Sequence, residues 1–106
     1  MACALCDAIR STKFPVLATE RFIAIYDTRP QKRTHLLVLP LAHCDSIERM
    51  SEADVSELFL TALRVVRELR LQGYRLLVNV GLMGGQRIPH VAVHVLSEEA
   101  TCPRSS

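Results

Sequence analysis

Two histidines stand four positions apart in "HVAVH", residues 90–94. Successive side chains of an extended strand project to opposite faces, so His90, Ala92 and His94 share one face while Val91, Val93 and Val95 share the other. The valine face reads as core. The opposite face has the form of a row of three imidazoles from which the middle one is missing. Near the N-terminus, Cys3-x-x-Cys6 forms a second reactive pair, whose thiolates can serve one metal ion or one redox couple.

The elements that must position these groups follow from the hydrophobic pattern. "CALCDAIRST" suits a short first helix, and "VLATERFIAIYDT" offers two short strands around a Thr-Glu-Arg turn. "THLLVLPLAH" is a continuous apolar run, expected as a strand buried on both faces that Pro40 brings to an end. The longest element starts at Ser51, an N-cap followed by Glu52 and Asp54 in the first turn, with Gly73 as its expected stop. Val55, Leu58, Phe59, Ala62, Val65, Val66 and Leu69 recur along it at helical spacing. "YRLLVNVG" and "HVAVHVLS" follow as strands joined by the glycine-containing loop "LMGGQRIP". The polar segment from about residue 98 to 106 is expected to fray. These elements imply an α+β class: a mostly antiparallel sheet crossed by one long helix, in a single domain spanning residues 1–106.

Composition excludes several functions. A net charge of +2 over 106 residues leaves no nucleic-acid footprint, and the cluster Arg29, Lys32, Arg33 reads as a solvated turn. No apolar run reaches membrane-spanning length, and "MACALCDAIR" lacks the basic start and long apolar stretch of a signal peptide. An intracellular, cytoplasmic location is therefore expected. In that reducing setting the four cysteines read as metal ligands or buried thiols rather than disulfides.

"DTRPQKRTHLLVLPLAHCDSI", "GYRLLVNVG" and "GGQRIPHVAVHVL", in this order, resemble the histidine triad superfamily, most closely its nucleotide-binding branch. The likeness runs from Cys3 to Leu96. It implies a five-stranded sheet and a homodimer formed through the long helix and the following strand, Leu58 to Val80, around a two-fold axis. It also implies a purine mononucleotide ligand such as AMP or GMP. In the family the central histidine attacks the α-phosphorus and water resolves the nucleotidyl-imidazole, chemistry suited to a neutral imidazole. Ala92 occupies that position, so the chain as written is expected to be inactive or nearly so. A natural loss and a deliberate substitution would both leave this pattern.

Further roles follow from the same resemblance. His94 would hydrogen-bond phosphate oxygens, and His35 would help orient the central ring. Asn79 would face the ribose-phosphate, and Asp27 would accept from ribose hydroxyls. Gly84 and Gly85 would let backbone approach phosphate, with Gln86 and Arg87 beside them. Arg87 stands where a small hydroxyl residue is usual, and Pro89 where an aromatic is usual. Taken singly, each has a plainer reading: Asp27 as a turn residue, His35 as a core histidine, the glycines as turn chemistry.

A subset of the superfamily also carries a metal on residues matching Cys3, Cys6, His43 and His90, a Cys₂His₂ set suited to a structural zinc with no open position. A redox pair or unpaired buried thiols remain rival readings; neither accounts for His43 and His90. Cys44 and Cys102 read as bystanders. The competing function from another class is a zinc-stapled dimeric interaction module without a nucleotide.

Overall fold

The computed structural model describes residues 3–101. Its elements, in chain order, are α1 (Ala4–Ser11), β1 (Leu17–Ala18), β2 (Phe22–Tyr26), β3 (Thr34–Pro40), α2 (Glu52–Glu68), β4 (Arg75–Leu77) and β5 (Val93–Ser97). Short 3₁₀ turns lie at Ile47–Arg49 and Leu82–Gly84. All pairings are antiparallel and the sheet order is β1-β2-β3-β5-β4, so the α+β expectation and the five-stranded sheet are both met.

The two faces of the sheet do different things. On one, Phe22, Ala24, Leu36, Val38, Val91, Val93 and Val95 pack against Leu58, Ala62, Val65 and Val66 of α2. Each fully buried Leu or Val there contributes about 1.5–3 kcal/mol through removal of apolar surface from water. On the other, Ile23, Ile25, Leu37 and Leu39 meet Leu5, Ala8 and Ile9 of α1 together with Ala92. Strand β3 is sandwiched between these layers, which is why all seven of its residues are buried and why its sequence is an unbroken apolar run.

Three boundaries differ from the pattern in the sequence. Regular pairing of β5 begins at Val93, yet Val91 still falls in the core and Ala92 on the opposite face, so the expected alternation extends beyond the ladder. The strand expected over "YRLLVNVG" is limited to Arg75–Leu77. Helix α2 starts as expected, with Ser51 Oγ accepting the Asp54 N–H at 3.1 Å, but ends well before Gly73. Arg70 takes the left-handed conformation at φ 57°, its N–H reaches Arg67 O, and the Leu71 N–H reaches Val66 O. This is a Schellman closure with arginine where glycine is favoured, and packing of Leu71 against the Val66 cluster accompanies it. Of the segment expected to fray, Glu98 pairs with Lys32, and Glu99 Oε2 accepts the backbone N–H groups of Gln72 and Gly73. Thr101 Oγ1 bonds with the Tyr26 hydroxyl; residues 102–106, and with them Cys102, lie outside the described residues.

Candidate functional site

The α1 side of the sheet carries a cleft of about 510 Å³. His90, Ala92 and His94 line it together, as the alternation predicts, with Asp27, Asn79, Gly85, Gln86 and Arg87 around them. That volume lies within the ~300–1,000 Å³ of small-molecule sites. Residues that the motifs alone did not single out complete the walls: Leu5 and Ala8 from α1, Ile25 and Leu37 from the sheet, and Arg29 from the turn read as merely solvated. The apolar contributors leave a signal, since Leu5, Ala8 and Ile9 recur at helical spacing.

Hydrogen bonds fix how the imidazoles are protonated. The Gln31 N–H donates to His35 Nδ1 at 3.1 Å, so the proton of neutral His35 sits on Nε2. That Nε2–H lies 2.9 Å from His94 Nδ1 and donates to it, and His94 in turn carries its own proton on Nε2. Among the described residues His94 Nε2 has no partner, which leaves its N–H as a donor for whatever enters the cleft. Burial lowers the pKa of both rings, and for His94 the neighbouring His35 lowers it further, so the pair is neutral near pH 7. His35 thus orients His94. The two are joined diagonally across β3 and β5, where Leu37 directly opposes His94 and Leu96 directly opposes His35.

Asp27 makes a turn contact and also lines the cleft. Oδ1 accepts the Arg29 N–H at 2.8 Å, a local turn contact, and Oδ2 lies 3.5 Å from His35 Nε2. Asp27, His35 and His94 place three donor atoms close together. A metal there would need the lone pair of His35 Nε2, which the Gln31 contact assigns to a proton.

The glycine loop is held by its own backbone hydrogen bonds. The Gly84 and Gly85 N–H groups donate to Gly81 O and Leu82 O, so neither is free for a phosphate. Gly85 instead supplies a left-handed residue, φ 86°, beside the Asn79 side chain, where a Cβ would be strained. The Gln86 amide is also engaged: Oε1 accepts the Gly81 N–H, and Nε2 donates to the carbonyls of Asp45 and Ile88. Gln86 shapes the loop. Asn79, Arg29 and Arg87 keep side-chain polar groups without protein partners among the described residues, on the cleft wall.

Beside the cleft, Cys3, Cys6, His43 and His90 bring one ligand atom each within 4.8 Å of one another, a cluster able to hold a metal ion. The Sγ···Nδ1 separations are 3.6 Å for Cys3–His90, 3.5 Å for Cys6–His90 and 3.4 Å for Cys6–His43. Metal bonds of about 2.3 Å to sulfur and 2.0 Å to nitrogen, set at tetrahedral angles, put S and N about 3.5 Å apart. The donor set fits. Both imidazoles also have the orientation that ligation requires, because His90 Nε2 donates to Pro40 O at 3.0 Å and His43 Nε2 to Asp45 Oδ1 at 2.8 Å, leaving both Nδ1 atoms toward the thiols. Neither partner was singled out by the motifs, although a carboxylate two residues after His43 is a signal that could have pointed to Asp45. Cys44 stays apart, its thiol donating to Ser46 O at 3.4 Å.

Comparison with known proteins agrees with this geometry. The HIT domain pattern matches residues 10–101. An uncharacterized HIT-like protein of Helicobacter pylori is 32% identical over 84 residues, covering 77% of this chain and 81% of its own. A histidine triad protein from Clostridium difficile superposes with a TM-score of 0.83 at 26% identity, over 100% of this chain and 97% of that one. A HIT family hydrolase from Legionella pneumophila gives 0.78 at 28% identity, over 92% and 94%. The chain belongs to the HIT domain family.

Proposed function

We propose that the cleft binds a purine mononucleotide, AMP or GMP, on a scaffold built for nucleotidyl or phosphoramidate hydrolysis, and that the chain turns over such a ligand slowly or not at all. The observation that carries this reading is the convergence of Asp27, Asn79, Arg87 and the free Nε2–H of His94 on one cleft whose floor is Ala92. The α-phosphate would lie near Ala92 and His94, accepting from His94, and the ribose hydroxyls would donate to Asp27. Leu5, Ala8, Ile25 and Leu37 offer an apolar wall suited to the flat base.

Loss of turnover follows from the lone pairs. His94 presents a proton on Nε2, His35 has both nitrogens occupied, and His90 spends one on Pro40 and turns the other to the thiols. No imidazole in the cleft is left to attack phosphorus. An Ala92→His chain should hydrolyse an adenosine phosphoramidate, and the contrast should be large, because removing a nucleophile costs on the order of 10⁶-fold in a well-studied hydrolase. Calorimetry with AMP and GMP, run beside that assay, separates the outcomes. If neither nucleotide binds and Ala92→His stays inert, the reading fails and an interaction module replaces it. Binding without rescued turnover identifies a nucleotide-sensing protein.

Zinc suits the Cys₂His₂ set best, as a closed structural site without an open position. It would be held by Cys3, Cys6, His43 and His90 and would contribute to folding. Elemental analysis should give about one zinc per chain, and Cys6→Ser or His43→Ala should release it and lower the melting temperature. Undiminished metal in both variants would sink the assignment.

A further inference from the structure

Helix α1 is lightly anchored. At eight residues it is too short to persist as an isolated helix, and none of its residues is fully buried. Its partly buried Leu5, Ala8 and Ile9 rest on the sheet. Among the described residues, the hydrogen-bonding links of the segment 3–12 to the rest of the chain run only through Cys3 and Cys6, to His90 and His43. Yet this helix is a wall of the cleft, with Ala4, Leu5 and Ala8 on its lining along with Ala92. His90 belongs to both sites, lining the cleft and meeting both thiols.

We propose that metal occupancy of the Cys3, Cys6, His43, His90 cluster sets the nucleotide affinity of the cleft, by fixing α1 as its apolar wall. The inference rests on the nucleotide reading above and adds its regulation. With a metal in place, two ligands at the start of α1 hold the helix to His90 and His43, and Leu5 and Ala8 stand ready for a base. Without it, a nucleotide must order α1 at its own expense, and part of its binding free energy goes into that step. Linkage makes the effect reciprocal: a nucleotide that contacts the ordered helix must raise metal affinity by the same factor. The cysteines act as positioning residues and touch no ligand atom themselves.

The experiment uses the full chain, loaded with zinc or stripped by a chelator, with far-UV circular dichroism to verify that the sheet persists. Calorimetric titration with AMP should show affinity falling about tenfold or more on stripping, within the usual range of coupling between sites. Competition against a chromogenic chelator should show saturating AMP tightening zinc by the same factor, a readout that needs no turnover. Leu5→Ala should keep its zinc but bind AMP more weakly, and AMP should tighten its zinc less. Should stripping unfold the sheet, the competition assay and Leu5→Ala decide the matter. Equal AMP affinity in loaded and stripped protein, or a zinc affinity indifferent to AMP, overturns the coupling while leaving the nucleotide reading intact. A zinc-loaded chain that binds no AMP removes both.

Discussion

Burial holds His35 and His94 below the ordinary imidazole range, so folding favours their neutral forms. The consequence for stability has a definite sign. The unfolded chain takes up protons on these rings as pH falls through about 6.5, the ordinary histidine value, while the folded chain resists. Stability contributed by the pair is therefore present above that pH and is lost on acidification toward the lowered folded values. Denaturant unfolding from pH 8 to pH 5 should show a decline beginning near pH 6.5 that is shallower in a His35→Asn, His94→Asn double variant. Parallel slopes in the two proteins would remove this origin for the effect. At the same scale, Asp27→Ala should weaken AMP binding by an amount visible in calorimetry, through loss of the acceptor proposed for the ribose hydroxyls. Gln86→Ala should act through the loop instead, since all of its amide contacts are to the protein.

Elements explain what the sequence made legible and what it did not. The shared face of His90, Ala92 and His94 was readable because strand alternation is a property of the backbone, and the same holds for the Ser51 cap, a contact local in sequence. The direction of protons through Gln31, His35 and His94 was not readable, because it depends on where a loop amide points. The end of α2 was misplaced for a related reason. Gly73 offers the easiest left-handed residue, but the hydrophobic contact of Leu71 with the Val66 cluster closes the helix earlier and forces Arg70 to φ 57°. A non-glycine residue there carries roughly 1 kcal/mol of strain. Arg70→Gly should accordingly raise stability by about 0.5–1 kcal/mol, read as a shift in denaturant midpoint at constant slope. Ser51→Ala should lower it by about 1 kcal/mol by leaving the Asp54 N–H uncapped. Destabilisation by Arg70→Gly would mean that the guanidinium, not the backbone, governs that corner.

At the scale of the whole molecule, the sheet ends unevenly. β4 is an edge strand of three residues, and its outer side has no partner among the described residues. Leu77 is 39% exposed on it, and Val80 is 39% exposed just beyond. These positions fall inside or beside the Leu58 to Val80 segment through which the family resemblance implies pairing. An unpaired strand edge continuous with exposed apolar side chains suits a second copy of the chain, related by a two-fold axis and extending the sheet strand to strand. Sedimentation equilibrium at micromolar concentration should therefore give a dimer. Leu77→Lys places a charge on the edge strand at a residue outside the thiol and imidazole cluster, and it should shift the equilibrium to monomer while leaving metal content unchanged. A wild-type chain that sediments as a monomer, or a Leu77→Lys chain that remains fully dimeric, would place the contact elsewhere or nowhere. Because β4 pairs Leu77 directly with His94, the monomeric variant also asks whether the cleft needs its neighbour. Unchanged AMP affinity in the monomer would show that each copy carries a complete site.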